Sequence, residues 1–111
     1  MEQSKVHTYL GFCIRAGKIV YGVDNIAETK KRVHLLIADC SISENSFKNL
    51  LKEKERLGCP LLTTEKSGQL EELLHRPSVK AVAIKDKNLA AAILSVAGSG
   101  PKFNLYSGGN N

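Results

Sequence analysis

The sequence predicts a single α/β domain. Segments whose apolar residues recur three and four apart alternate along the chain with short β-branched or continuously apolar segments, as in chains where helices alternate with strands. Such alternation implies a sheet between helical layers. The chain has 111 residues, 42% hydrophobic and 24% charged, which suits one domain whose core needs no disulfide or metal.

The first two predicted elements are a helix and a short strand. Apolar residues recur at helical spacing over residues 4–16, where Ser4 can cap the start of the helix. Gly17 can end it in a left-handed conformation. Residues 18–21 are β-branched or aromatic after the lysine, which favours a strand, and Gly22 breaks it.

The second helix begins near Asp24 and Asn25, which are residues typical of helix starts. It ends in the basic run at residues 30–32, which suits the negative end of a helix dipole. Residues 33–38 include a continuous apolar run, which predicts a strand covered on both faces.

The second half of the chain continues this alternation up to residue 97. Its predicted elements are a helix capped by Ser43 and closed by Gly58, a strand over 60–63, a helix over 68–75, a strand over 79–85 and a last helix capped by Asp86. Residues 98–111 are predicted to be a flexible tail, so the domain covers residues 1–97.

The cysteines indicate a reducing compartment. Cys13, Cys40 and Cys59 are odd in number, widely spaced and flanked by apolar residues, so we expect buried, unpaired thiols. No cysteine pair or histidine has a partner at metal-ligand spacing, and we expect no metal or other cofactor. The chain lacks a signal-peptide core and any apolar run near the ~20 residues of a membrane span, which predicts a cytoplasmic protein.

The net charge of +5 comes from the two ends of the chain. Residues 1–35 and 80–111 each carry a charge of +3, whereas residues 36–79 carry −1. If the two ends lie side by side, they form one basic face that attracts polyanions. The alternative is that this charge only keeps the protein in solution.

The motifs of common enzymes are absent. The chain has no phosphate-binding loop of the form G-x-x-x-x-G-K-[ST], no G-x-S-x-G elbow and no H-E-x-x-H helix. Asp39 ends a predicted buried strand, where α/β enzymes often place a functional carboxylate, but capping of the turn at residues 41–43 is the stronger interpretation. Cys40 has no basic neighbour that would activate it. We therefore expect a protein that is not an enzyme.

Three stretches resemble the L-seven-Ae / L-thirty-e ribosomal protein family, and its bacterial YlxQ-like branch in particular. Residues 10–18 read L-G-F-C-I-R-A-G-K and are followed by Gly22, which is similar to the family opening L-G-L-A-x-R-A-G-K-x-x-x-G. Residues 34–61 contain H-L-L-I-A-D, S-E-N and G-C-P-L, which resemble K-L-V-L-L-A-E-D, S-E-N and G-V-P-Y. Residues 85–93 resemble the last loop and helix of the family. The resemblance covers about residues 4–97, in the family's order.

The resemblance implies a three-layer α/β/α sandwich around a small mixed four-stranded sheet. It also implies RNA binding, often to the kink-turn with its tandem sheared G·A pairs, through the start of the second helix and the loop before the last helix. In this chain those elements are residues 22–28 and 85–88. The implied RNA-binding residues are Lys18, Gly22, Asp24, Asn25, Glu28, Lys31, Lys85, Asp86, Lys87 and Asn88.

These residues have distinct expected roles. Gly22 lets the RNA approach the backbone, Asp24 and Asn25 read base edges, and the lysines hold phosphates. The family's pattern G-x-N-E-x-x-K is here G-V-D-N-I-A-E, which puts a carboxylate at Glu28 where a lysine would face phosphate. The alternatives are that Asp24 only caps the helix and that Glu28 is a solvated surface residue.

The sequence thus predicts a non-catalytic bacterial RNA-binding protein that is associated with the ribosome, is a monomer and has no membrane partner. Its partners would be a structured RNA and ribosome or translation proteins. One alternative is a protein-interaction module that uses the acidic end of the second helix. Another is a substrate-binding appendage that serves a partner enzyme.

Overall fold

Helices and strands alternate along the chain in the computed structural model, which describes residues 5–30, 32–97 and 103–106. The helices are α1 (Lys5–Ala16), α2 (Val23–Glu28), α3 (Glu44–Leu57), α4 (Gln69–Leu74) and α5 (Lys87–Val96). The strands are β1 (Ile19–Tyr21), β2 (Leu35–Ala38), β3 (Leu61–Thr64), β4 (Ala81–Ile84) and β5 (Phe103–Leu105). The predicted α/β class is confirmed.

The strands form one mixed sheet in the order β1-β4-β2-β3-β5. β2 and β3 are parallel, and the other neighbouring pairs are antiparallel. The expectation of four strands is wrong by one, because β5 lies within the predicted tail at residues 98–111 and pairs with β3. Phe103 is 5% exposed and belongs to the core. A three-residue strand has too few residues to show a period, so its pairing with β3 depends on tertiary contacts.

The helices cover both faces of the sheet, because alternate residues of each strand point in opposite directions. One face packs with α1, α4 and α5, and its strand residues include Leu35, Ile37, Leu62, Val82 and Ile84. The other face packs with α2 and α3, and its strand residues include Leu36, Ala38, Leu61, Ala81 and Ala83. Every residue of β2 is buried, which confirms the strand with two covered faces predicted at residues 33–38, and every residue of β4 is buried as well.

The end of α1 has the predicted left-handed glycine. Gly17 has φ 69°, its N–H donates to the carbonyl of Ile14 (3.1 Å), and the N–H of Lys18 donates to the carbonyl of Cys13 (2.9 Å). This pair of hydrogen bonds is the Schellman motif, which satisfies carbonyls that the helix end leaves free. The predicted cap at Ser4 lies outside the described residues.

Two further helix starts are capped as predicted. The Oγ of Ser43 accepts from the N–H of Ser46 (3.1 Å), and the Oδ1 of Asp86 accepts from the N–H of Leu89 (2.8 Å). Gly58 closes α3 at φ 65°. These local signals are reliable because a cap involves residues only three positions apart.

Helix α2 is shorter than the sequence predicts, since it ends at Glu28 and does not reach the basic run at 30–32. The guanidinium of Arg56 on α3 donates to the carbonyls of Ile26 (3.1 Å) and Ala27 (3.3 Å). A side chain from another element therefore satisfies carbonyls at the end of α2.

The cysteines are free but not alike. Cys13 and Cys59 are buried, and burial raises the pKa of both thiols, that of Cys13 to about 11 with a smaller contribution from the Asp86 carboxylate. Cys40 is exposed, so the expectation of a buried thiol is wrong at this position. It lies two residues after the end of β2, where the chain leaves the sheet.

Candidate nucleic-acid interface

A polar groove lies at the start of α2. Gly22 precedes the helix with φ 90°, a conformation that favours glycine, and its N–H donates to the carbonyl of Ala81 (2.8 Å). Nothing lies within 4 Å of where a Cβ on Gly22 would be, so the backbone is open to a ligand. The groove has a volume of about 320 Å³ and is lined by Gly22, Val23, Asp24, Asn25, Ile42, Ser46, Ser78, Lys80 and Ala81.

Asp24 and Asn25 form the exposed wall of this groove. Gly22, not Asp24, is the N-cap of α2, and no side chain caps the helix, so the capping interpretation of Asp24 is wrong. The Nδ2 of Asn25 donates to the carbonyl of Tyr21 (2.9 Å), which holds the amide in place at the groove. These side chains leave a carboxylate and an amide oxygen facing outward as acceptors.

The opposite wall comes from the segment between α4 and β4, which contains none of the predicted site residues. The N–H of Ser78 donates to the Glu71 carboxylate (2.7 Å). The Nζ of Lys80 donates to the Oγ of Ser41 (2.9 Å) and lies 3.4 Å from Glu71. The guanidinium of Arg76 stacks 4.1 Å from the centre of the Tyr21 ring. The sequence R-P-S at residues 76–78, just before a strand, could have indicated this wall, but no local pattern links it to Gly22.

The structure separates the two parts of the predicted site. Lys85 lies beside Lys18, since its N–H donates to the Lys18 carbonyl (2.8 Å), whereas Gly22 lies beside Ala81. Lys18 and Gly22 are at opposite ends of the β1–β4 pair. They are four residues apart along an extended strand, which corresponds to about 13 Å. The reason is strand direction: in an antiparallel pair, the residues that follow each strand lie at opposite ends.

The end of the β1–β4 pair where Lys85 lies beside Lys18 contains other predicted residues. Lys18, Lys87 and Asn88 are exposed, and Lys85 and Asp86 are half-buried. Asp86 uses its carboxylate to cap α5, so its role here is structural. The expectation that residues 22–28 and 85–88 form one site is therefore corrected to two separate surfaces.

Glu28 lies at the other end of α2 from the groove. It is exposed and shares a shallow depression with Ala27, Thr29, Lys30, Arg32 and Arg56. Within the described residues it forms no ion pair, and three cations line the same depression. Lys31, which was expected to hold phosphate, lies outside the described residues.

Asp39 stabilises the turn that follows β2. Its carboxylate accepts from the N–H groups of Ser41, Gly68 and Leu70 (3.0 Å each) and from the hydroxyls of Ser41 and Thr64. Burial alone would raise its pKa, but the Ser41 hydroxyl and the three N–H donors outweigh that effect and lower the pKa to about 2. This arrangement matches the capping role predicted for Asp39.

In the described part of the chain, no three His, Cys, Asp or Glu residues form a group that could hold a metal ion. No helix in that part is both long and apolar enough to cross a membrane.

No protein-family model matches this chain, and no curated protein matches it. Its fold is similar to the solved structure of a protein of unknown function from Bacillus halodurans C. The two have a TM-score of 0.69 and 17% identity over 85% of this chain and 97% of the other. At this identity the likeness concerns the fold alone.

Proposed function

We propose that this chain is a non-catalytic bacterial protein that binds a structured RNA through the groove at the start of α2 and acts in association with the ribosome. The observation that carries the proposal is the open backbone at Gly22 beside outward-facing acceptors on Asp24 and Asn25. The resemblance of residues 10–18, Gly22 and 34–61 to the L-seven-Ae / L-thirty-e ribosomal proteins supports the same ligand.

The groove suits base edges better than phosphates. The carboxylate of Asp24 can accept from the amino and imino groups of guanine, and Asn25 can add an amide contact. Lys80, the cation in the groove, is already close to Glu71 and Ser41. Guanines whose edges are exposed outside a regular duplex, as in the sheared G·A pairs of a kink-turn, are therefore the preferred targets.

A gel-shift titration tests this proposal with two RNAs of equal length, a kink-turn with tandem G·A pairs and a straight duplex. The protein should bind the kink-turn more tightly, and Asn25→Ala should weaken that binding by about tenfold, the cost of one good base contact. Asn49→Ala, an exposed amide on α3, is the matched control and should change nothing. Equal, weak binding to both RNAs would show that the groove does not read a kink-turn.

The negative charge of Glu28 opposes binding of a kink-turn. Glu28→Lys should tighten kink-turn binding, because it replaces a charge that repels phosphate with one that attracts it. Glu55→Lys makes the same charge change on the exposed face of α3. Equal tightening by both variants would indicate a general effect of charge, and no change with Glu28→Lys would mean that the RNA does not contact the end of α2 at Glu28.

The competing function is a protein-interaction module that uses the acidic end of α2. In the described residues, Asp24 forms no ion pair, so its charge is free for a basic partner. A pull-down from bacterial lysate with and without RNase separates the two functions. Partners that survive RNase digestion support protein interaction, and their loss supports RNA binding.

A further inference from the structure

A cluster of basic residues lies at the end of the β1–β4 pair opposite the groove. Arg15, Lys18, Lys85 and Lys87, together with the side chain of Phe12, are here named the Lys18 patch. Arg15, Lys18 and Lys87 are exposed, and Lys85 is half-buried. Within residues 5–30, 32–97 and 103–106, none of these four cations forms an ion pair.

Three contacts connect the two chain segments that carry the Lys18 patch. The N–H of Lys18 donates to the Cys13 carbonyl, which turns the chain at the end of α1, and the N–H of Lys85 donates to the Lys18 carbonyl. Asp86 lies close enough to Cys13 for its charge to act on the buried thiol. The end of α1 and the start of α5 are therefore neighbours.

The patch has a strong excess of positive charge. Asp86 is the carboxylate within it, and that carboxylate accepts the N–H of Leu89 as the cap of α5. The groove at α2 differs, because its cation Lys80 is paired with Glu71 and its wall carries Asp24. The patch therefore attracts phosphates more strongly than the groove does.

Phe12 adds an exposed aromatic ring to the patch, which contacts with phosphates alone would not require. Its side chain is 43% exposed, and the guanidinium of Arg15 lies 5.1 Å from the ring centre. An exposed ring among cations is the arrangement on which an unpaired base stacks while its phosphates contact lysines. A single ring serves one base, so the patch suits a short unpaired strand.

We infer that the Lys18 patch is a second RNA-binding surface, which takes an unpaired strand by phosphate contacts to Lys18, Lys85 and Lys87 and by stacking of one base on Phe12. The inference extends the proposed function and rests on it in one respect, that the partner is RNA. It does not need the groove at α2 to bind a kink-turn.

Fluorescence anisotropy of the full chain with a labelled 12-nucleotide oligouridylate tests the inference between 50 and 200 mM salt. Three phosphate contacts predict a slope of log affinity against log salt of about −2.1, and Lys85→Gln with Lys87→Gln should reduce its size by about 1.4. Lys48→Gln with Lys52→Gln removes two exposed lysines from α3, on the other side of the sheet, and should leave affinity and slope unchanged.

Phe12→Ala separates stacking from charge. It should weaken oligouridylate binding by about tenfold with the same salt slope, because stacking releases no counterions. Equal losses from the patch pair and the α3 pair would overturn the inference, as would an unaltered affinity after Phe12→Ala. Competition by a polyglutamate peptide as effective as unlabelled oligouridylate would also overturn it, in favour of an acidic protein partner.

Failure of this inference can be distinguished from failure of the proposed function. Asn25 lies in the groove, so Asn25→Ala should leave oligouridylate binding unchanged. If the unsubstituted protein binds oligouridylate but shows no preference for the kink-turn over the duplex, the groove alone is refuted. The reverse pattern would refute the patch alone.

Discussion

At the scale of single residues, Asp39 ties three parts of the chain together. It receives hydrogen bonds from the turn at Ser41, from Thr64 at the end of β3 and from the start of α4. Its side chain is fully buried, and so are the donors on Thr64 and Leu70, which would have no solvent to bond with if the carboxylate were lost. A carboxylate at the end of a buried strand can therefore be a structural residue as well as a functional one.

The low pKa of Asp39 predicts acid sensitivity. The folded pKa of about 2 lies below the ordinary 3.8, so its contribution is fully present above about pH 5 and is lost progressively as the pH falls to about 2. That contribution amounts to about 2 kcal/mol. Urea unfolding at pH 7, 4 and 2 should show Asp39→Asn less stable at pH 7 by about this amount and closer to the unsubstituted protein at pH 2. Parallel loss of stability in both proteins would assign the acid sensitivity to other carboxylates.

The sequence identified some residues of the groove and missed others. Gly22, Asp24 and Asn25 lie within four positions of one another at a helix start, so local pattern and resemblance locate them together. Ser78 and Lys80 reach the same groove because β4 pairs with β1, a contact between segments about 60 residues apart. No local spacing carries that information.

At the scale of elements, β5 shows how a short segment can complete a sheet. It covers the edge of β3, and Tyr106 after it packs its ring edge-to-face against Phe47 of α3, with ring centres 5.6 Å apart. Covering an edge removes a row of free N–H and carbonyl groups that could pair with another chain. The segment is thus a part of the domain's core structure.

Two substitutions in β5 test this role. Phe103→Ala should lower the free energy of unfolding by about 3 kcal/mol, because it empties a buried position. Leu105→Ala is the matched control in the same strand, and since Leu105 is 59% exposed its change should stay within about 0.5 kcal/mol. Both values come from urea unfolding at neutral pH. Equal small effects would mean that β5 adds little to the stability of the domain.

At the scale of the whole molecule, the groove and the Lys18 patch differ in charge. The groove at α2 carries acceptors and a paired lysine, whereas the Lys18 patch carries unpaired cations and an exposed ring. The two surfaces lie at opposite ends of the β1–β4 pair, about 13 Å apart. One RNA with a folded part and an unpaired extension can span that distance.

An RNA that reaches both surfaces should bind more tightly than either part alone. A kink-turn with a 12-nucleotide unpaired extension should bind at least about tenfold more tightly than the same kink-turn without it, because the second contact becomes intramolecular. Lys85→Gln with Lys87→Gln should abolish the gain and leave the affinity for the kink-turn without the extension unchanged. Anisotropy titrations of both RNAs measure this difference. A gain that persists in the variant would mean that the extension binds elsewhere.

The sequence by itself determined the α/β class, the alternation of helices and strands and the caps at Gly17, Ser43 and Asp86, because each depends on residues a few positions apart. Only the tertiary structure decided that β5 joins the sheet and that Ser78 and Lys80, not residues 85–88, face the start of α2. The physical reason is that strand order and direction follow from burial of two faces of the sheet against helices, which is a property of the whole chain. The antiparallel pairing of β1 with β4 thereby turned one expected RNA site into two surfaces at opposite ends of the sheet.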